Sequence, residues 1–178
     1  AASTPLRNRI SVGGSIIDSP IWSDLWSTLL SLNAKIVYIN LNGEENLIEA
    51  EEFIKKGIKK EKILIKEISI DKKEVNFFVK RMVRVNFDYP VFNLACAINE
   101  NNENCRIFVT GIKSLYKRLE NIERIFENEK KFTENVKNEI EKIELEFHDD
   151  FKGSGEYKKQ VLKAYLGDGL KELTGDMS

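Results

Sequence analysis

The spacing of apolar residues predicts a helix near the start of the chain. Ser19 and Pro20 are a good N-cap and a good first helical residue. The apolar residues that follow recur every three or four positions, as on one face of an amphipathic helix. They are Ile21, Trp22, Leu25, Trp26, Leu29 and Leu30. We therefore predict that a helix begins at Ser19-Pro20.

Two runs rich in β-branched and aromatic residues come next, at 35–41 (KIVYINL) and 62–70 (KILIKEISI). Such runs predict strands. The pair Asn42-Gly43, which follows the first run, is a strong turn signal. Between the two strands, residues 49–56 can form one or two helical turns, which Gly57 would end.

The region 75–111 has a strand pattern throughout. Three runs, at 75–85, 89–99 and 105–111, are separated by short polar stretches. Because side chains alternate along a strand, the middle run presents one set of side chains to each face of its sheet. Three strands in sequence predict an antiparallel meander. One face carries Phe92, Leu94, Cys96 and Ile98, and the other carries Val91, Asn93, Ala95 and Ala97.

The period then changes to that of a helix until the end of the chain. Apolar residues at helical spacing predict three helices, within 115–126, 132–147 and 157–173, and Ser154 is a suitable N-cap for the last. Three helices suffice to cover one face of a three-stranded sheet. The predicted fold class is α+β, and the change of pattern near Asp71 marks a domain boundary.

Composition excludes several classes of function. The 178 residues have a formal net charge of -1, so no overall field attracts nucleic acid. No apolar run is long enough to span a membrane and no signal pattern opens the chain, so we expect a soluble cytoplasmic protein. Two cysteines and one histidine cannot hold an iron–sulfur cluster or a structural zinc ion alone. Cys96 and Cys105 could approach across a hairpin, and we expect two buried free thiols.

Two groups of residues could carry chemistry. Ser11-Val12-Gly13-Gly14-Ser15 has the adjacent glycines that let backbone N–H groups approach a phosphate, although most such pairs are simply turns. Lys80, Arg84 and Asp88 are spaced by four, which places them on one face of a strand. Their cations could bind carbonyl or phosphate oxygens. A solvated sheet face explains the same spacing.

Other polar residues have simpler explanations. Asp24 lies in the first helical turn, where the helix dipole favours a carboxylate. Trp22 and Trp26 are one turn apart, which is typical of residues that cover a core. His148 has no second histidine or cysteine beside it and fits a surface loop.

Several segments, taken in order, resemble the FAD-binding subunits of molybdenum hydroxylases. Residues 7–16 with Asp24-Leu25 are similar to the family segment RN-x-A-T-I-G-G-N-I…S-P-x-x-D-L. Residues 149–158 resemble the family's D-D-x-R-G-S-x-x-Y-R, residues 62–70 its E-L-I-T-E-I-x-I strand, and Arg84-x-x-x-Asp88 its R-x-x-x-D element. The family includes the medium subunit of aerobic carbon monoxide dehydrogenase and the flavin part of xanthine dehydrogenase.

The resemblance implies a two-domain layout. Residues 1–71 would be the C-terminal part of a flavin-binding α/β domain, and residues 72–178 the family's C-terminal domain, a three-stranded antiparallel sheet with a three-helix bundle. By residue matching, Gly13, Gly14 and Ser15 would lie at the FAD diphosphate. The resemblance also implies a set of residues near the flavin ring or its edge. These are Ile17, Asp24, Lys80, Arg84, Asp88 and Tyr89.

The same resemblance implies an electron-transfer role. The flavin would take electrons from iron–sulfur clusters on a partner subunit and pass them to NAD or another acceptor, while substrate is oxidised at molybdenum on a third component. Ser15 replaces the family's Asn and Ser11 its Thr. The family's second Gly-rich loop lies upstream and has no counterpart, so we expect a fragment or partial subunit that binds FAD weakly and is inactive alone. The alternatives are a docking module that binds no FAD by itself, and an unrelated α+β domain.

Overall fold

A computed structural model describes residues 4–18, 20, 23–58, 61–72, 75–85, 88–99 and 103–175. These described residues contain helices and strands in two antiparallel sheets, which confirms the α+β class. The helices are α1 (Thr4–Arg7), α2 (Val12–Asp18), α3 (Asp24–Ser31), α4 (Ala50–Lys55), α5 (Glu120–Glu129), α6 (Glu134–Glu141) and α7 (Gly155–Thr174). The strands are β1 (Lys35–Ile39), β2 (Glu45–Glu49), β3 (Leu64–Ser69), β4 (Val75–Met82), β5 (Phe92–Asn99), β6 (Arg106–Thr110) and β7 (Tyr116–Arg118).

The N-terminal helices differ from the prediction. The glycine pair was expected to form a turn before a helix starting at Ser19-Pro20, but Gly13 and Gly14 lie inside α2, and α3 begins at Asp24. Side-chain caps explain the difference, because the Gly14 N–H donates to Ser11 Oγ at 3.1 Å and the Leu25 N–H to Ser23 Oγ at 3.3 Å. Ser19, Ile21 and Trp22 fall outside the described residues.

The first sheet has the strand order β2-β1-β3. Its hairpin turns at Asn42-Gly43, as predicted, and Gly43 has the positive φ of 80° that glycine tolerates best. Strands β1 and β3 and helix α4 also match the predictions. The pattern did not predict β2, because its two apolar residues, Leu47 and Ile48, are adjacent and do not alternate with polar ones. The strand forms by pairing with β1. Trp26 and Phe53 stack at 6.2 Å in the core over this sheet.

The second sheet has the order β4-β5-β6-β7. The three predicted strands are confirmed, and β7 adds a fourth where the pattern predicted the first turn of a helix. Residues 116–118 form a strand because they pair with β6, where Phe108 lies opposite Arg118. Helix α5 therefore begins only at Glu120.

Both faces of the second sheet are covered. On one face, Phe92, Leu94, Cys96 and Ile98 pack with apolar residues of α5, α6 and α7. On the other face lies α3, and Phe108 is fully buried in the same core as Trp26. The second sheet therefore joins the N-terminal and C-terminal parts of the chain into one packed structure.

Three C-terminal helices are confirmed, although α6 ends at Glu141, earlier than the apolar spacing predicted. Ile143 and Phe147 are buried from an irregular segment that follows it. Ser154 caps α7 as predicted, accepting from the Tyr157 N–H at 3.2 Å. Within the described ranges, none of the helices is long and apolar enough to cross a membrane.

Candidate functional site

The first turn of α2 is glycine-rich and open to solvent. Ser11, Val12 and Gly14 are exposed, and Ser15 donates its hydroxyl to the Ser11 carbonyl at 3.0 Å. An alkyl group at Gly14 would come within 3.0 Å of Ser11 Oγ, so the missing side chain leaves room for the cap. A first helical turn has N–H groups with no intrahelical acceptor, here including those of Val12 and Gly13. The turn can therefore offer donors to an anion.

Ile17 and Gly13 face inward from the same helix. Ile17 is half-buried against the N-terminal core. A Cβ at Gly13 would lie 3.4 Å from the Cβ of Ile65 on β3, which is ordinary van der Waals contact. These two residues therefore pack α2 on the first sheet, and only the start of the helix is open.

A second group of predicted residues gathers at the end of β4. Asp24, at the start of α3, accepts from Arg81 Nε at 2.9 Å. The Arg81 Nη2 group also donates to the carbonyl oxygen of Asp88. In turn, Asp88 Oδ1 accepts from the Tyr89 N–H at 2.8 Å and pairs with Lys152 Nζ at 3.3 Å. Asp24, Asp88 and Tyr89, which the resemblance assigned to one site, are thus connected through Arg81 and Lys152.

Arg84 lies on the rim of this group. Its Nη1 donates to the carbonyl oxygen of Phe151 at 3.4 Å, and its guanidinium lies 5.6 Å from the centre of the Phe151 ring. Phe151 is 79% exposed and Tyr89 is 61% exposed. Lys152 Nζ lies 5.8 Å from the centre of the same phenyl ring and donates to the Tyr89 carbonyl at 2.6 Å. The result is a surface that presents two exposed aromatic residues, with the Arg84 guanidinium beside the Phe151 ring.

Lys80 lies elsewhere. It is on the face of β4 covered by α7, with its Nζ 5.2 Å from the centre of the Tyr165 ring. The predicted shared face of Lys80, Arg84 and Asp88 required a strand through all three, but β4 ends at Met82. Arg81, the next residue, points to the opposite face because side chains alternate.

The segment 149–154 forms a tight loop before α7. The Asp149 carboxylate accepts from the Gly155 N–H at 2.6 Å. Asp150 pairs at 2.8 Å with Lys158, whose side chain is only 2% exposed, and Lys158 also donates to the His148 carbonyl. Burial raises the pKa of Asp150, but Lys158 and the Lys152 N–H outweigh it and hold that pKa below its usual value. The loop is thereby fixed so that Lys152 reaches Asp88.

Three residues of this site were not assigned from the sequence: Arg81, Asn93 and Lys152. Buried Asn93 donates its amide to the Ser23 carbonyl at 3.2 Å, next to Asp24. Lys152 occurs inside the motif at 149–158, and Asn93 is a polar residue within an apolar strand. Those two signals could have identified them, whereas the contact of Arg81 with Asp24 spans 57 residues and has no local signal.

A network of buried charges lies away from this site, between the two sheets. Burial raises the pKa of Glu51, but Lys55, Arg118 and Arg106 outweigh it, so the pKa lies below its usual value. For Glu123 burial dominates and the pKa is raised, although Arg118 pairs with it at 2.9 Å. A cavity of about 500 Å³ opens beside Glu51 and Arg118. Its lining includes four carboxylates and four cations, so its charge favours neither sign of ion.

The described residues contain no group of histidine, cysteine and acidic side chains that could hold a metal ion. Cys96 and Cys105 are free and buried, as predicted. Burial raises the pKa of both thiols, which makes them unreactive. His148 is exposed in a loop, also as predicted.

Three of the solved structures that share this fold each match nearly the whole chain. Quinoline 2-oxidoreductase from Pseudomonas putida 86 matches with a TM-score of 0.78 and 16% identity over 99% of this chain and 64% of that one. Carbon monoxide dehydrogenase from Hydrogenophaga pseudoflava, in a form lacking the Mo-pyranopterin moiety, matches with a TM-score of 0.78 and 18% identity. That match covers 97% of this chain and 63% of the other. Reconstituted CO dehydrogenase from Oligotropha carboxidovorans matches with a TM-score of 0.78 and 14% identity, over 98% of this chain and 64% of the other. The chain thus spans slightly less than two thirds of each.

A comparison with curated proteins finds no match. Residues 1–72 match the model of the family described as the FAD binding domain in molybdopterin dehydrogenase. This match covers α1 to α4 and the whole first sheet, including the open turn of α2 and Asp24. Residues 1–72 are therefore similar to the FAD-binding domain family of molybdopterin dehydrogenases, in agreement with the resemblance found in the sequence.

Proposed function

We propose that the chain acts as an FAD-binding electron-transfer subunit, or part of one, in a molybdenum hydroxylase. The family match over residues 1–72 carries the proposal. In this role it would receive electrons from iron–sulfur clusters of one partner subunit, while a molybdopterin subunit oxidises the substrate. NAD or another acceptor would take the electrons from the flavin. A cytoplasmic location and a division into domains at 1–71 and 72–178 remain predictions.

The open turn of α2 fits the diphosphate of FAD. Its free N–H groups are donors, Gly14 has no side chain to obstruct an anion, and Ser15 adds a hydroxyl. FAD, when bound, would supply the redox chemistry, and this chain would bind and orient it. Gly13 would contribute its backbone N–H, since a Cβ there would make only ordinary van der Waals contact with Ile65.

The group at the end of β4 suits the flavin ring. Asp24 offers a carboxylate that can accept a hydrogen bond, and exposed Tyr89 offers an aromatic face. Arg84 offers donors for carbonyl oxygens at the rim. We propose these residues with Asp88 as contacts of the ring edge, and Ile17 and Lys80 as more distant supports, since both pack against neighbouring side chains.

One observation favours the alternative of a docking module that does not bind FAD alone. The Gly14 N–H is already bound to Ser11 Oγ at 3.1 Å, so a phosphate must compete with the cap for it. The exposed rings of Phe151 and Tyr89 then form a surface suited to a partner protein.

FAD titration of the chain, followed by quenching of flavin fluorescence, distinguishes the two functions. We expect measurable binding by the wild type and a loss of about tenfold or more in Gly14→Val, because the new side chain displaces the cap and fills the anion's space. Ala164→Val is the matched control, since residue 164 is exposed on α7. Normal binding by Gly14→Val would refute the assignment of the turn. No binding by the wild type would favour the docking module.

A further inference from the structure

One guanidinium group joins two parts of the chain that are far apart in sequence. Arg81 Nε donates to Asp24 Oδ1 at 2.9 Å, and its Nη2 donates to the backbone carbonyl of Asp88. The first acceptor lies at the start of α3, and the second begins the segment that carries Tyr89. Both elements belong to the proposed flavin site, yet Arg81 itself was not among its predicted residues.

The geometry of arginine suits this position. Its planar guanidinium directs several donors along fixed directions, so one side chain can bind two acceptors at once. A lysine has a single ammonium group on a flexible stem, so it fixes the directions of two acceptors less well. The Arg81 side chain is 21% exposed and that of Asp24 is 36% exposed, so water screens the pair only in part.

A neighbouring residue strengthens the same connection. Asn93 lies opposite Arg81 in the sheet and donates its amide to the carbonyl of Ser23. Ser23 caps α3 and directly precedes Asp24. The start of α3 is therefore held by two adjacent residues of the second sheet. Asp24 cannot turn away without breaking a contact to that sheet.

We infer that Arg81 is a positioning residue of the flavin site. It fixes the direction of the Asp24 carboxylate and the place of the Asp88–Tyr89 segment, and acts on the flavin through them. The inference rests on the proposed function. It adds a residue that neither the motifs nor the family match assigns to the site.

Four variants of the full chain test the inference: Arg81→Gln, Arg81→Lys, Asp24→Asn and the double variant Asp24→Asn/Arg81→Gln. FAD affinity is measured by fluorescence titration, and the visible circular dichroism of bound flavin reports the surroundings of the ring. Thermal melting reports stability separately. The control is Arg124→Gln, which removes a cation that bonds only to exposed Asn121 in the described structure.

We expect Arg81→Gln to weaken FAD binding about tenfold, because the Arg–carboxylate contact controls the orientation of Asp24. The visible dichroism of the flavin that still binds should change as well. Arg81→Lys should recover part of the affinity. The loss in the double variant should be smaller than the sum of the two single losses, because Arg81 acts partly through Asp24. Arg124→Gln should match the wild type.

Unchanged affinity and dichroism in Arg81→Gln would overturn the inference, and so would fully additive losses in the double variant. If Arg81→Gln does not fold, Arg81→Lys decides, since wild-type dichroism with lysine would show that the two-acceptor geometry is unnecessary. A wild type that does not bind FAD would overturn the proposed function, and this inference with it. Binding that depends on Gly14 but not on Arg81 would overturn the inference alone.

Discussion

Two glycines of α7 lie two residues apart in different surroundings, and alanine at each should have opposite effects on stability. At Gly169, an added Cβ would lie 2.8 Å from Cζ of Phe78 and closer still to Cδ1 and Cε1. At Gly167, the nearest atom is Cζ of Phe132 at 3.8 Å, an ordinary contact. Both glycines lie within a regular helix, so the intrinsic gain from alanine is the same at each.

The magnitudes follow from two opposing effects. Replacing a helical glycine by alanine stabilises a helix by about 0.8–1.0 kcal/mol. Overpacking a core costs roughly 1–3 kcal/mol, and we expect the upper end for Gly169, because the Phe78 ring is itself buried between β4 and α7. Gly167→Ala should therefore gain about 1 kcal/mol and Gly169→Ala should lose about 2 kcal/mol. For a chain of this size, about 1 kcal/mol shifts the melting temperature by roughly 2–4 °C.

Thermal melting and urea unfolding of both variants test the reasoning. We expect Gly167→Ala to melt roughly 2–4 °C above the wild type and Gly169→Ala roughly 4–8 °C below it. In a Phe78→Leu background the penalty of Gly169→Ala should shrink, because the smaller side chain makes room. A Gly169→Ala variant as stable as the wild type would refute the packing of α7 on Phe78.

Two further predictions concern charge. Asp150→Asn removes the charge that balances the buried Lys158, and we expect the free energy of unfolding to fall by about 1–3 kcal/mol. This is less than the roughly 3–5 kcal/mol of a fully buried pair, because the Asp150 side chain is 40% exposed. Urea unfolding should show no comparable loss for Glu146→Gln, which breaks an exposed pair with Lys113. Burial and the neighbouring Glu51 raise the pKa of Tyr116 from 10.0 to about 12. Because the folded chain prefers the neutral phenol, the contribution of Tyr116 to stability is intact below pH 10 and is lost as the pH rises toward 12. The free energy of unfolding should fall more steeply there for the wild type than for Tyr116→Phe, and parallel curves would contradict the assignment.

The sequence predicts those parts of the fold that depend on local pattern. Strand β5 and helix α7 have clear periods and a recognisable turn or cap, and both were predicted. Strands β2 and β7 are short and polar, and they form because β1 and β6 offer unpaired edges. Propensity cannot show such pairing, since it depends on a partner elsewhere in the chain.

The same distinction applies to the site. Asp24, Asp88 and Tyr89 were proposed from motifs, because each motif is a short local segment. The contacts that bring them together, through Arg81 and Lys152, join segments 57 and 64 residues apart. The shared face predicted for Lys80, Arg84 and Asp88 required one strand through all three, and the sequence pattern did not show that β4 ends at Met82.

Helix α3 explains why the two parts of the chain depend on one another. Its first residue, Asp24, contacts Arg81 of the second sheet, while Trp26 and Leu30 fill the core of the first. The Leu30 carbonyl also accepts from Arg106 Nε at 3.1 Å, so both ends of the helix are bonded to the second sheet. A displacement of that sheet must therefore move Asp24 or break one of these contacts. The family match ends at residue 72, but the geometry of the residues within it is determined by side chains beyond it.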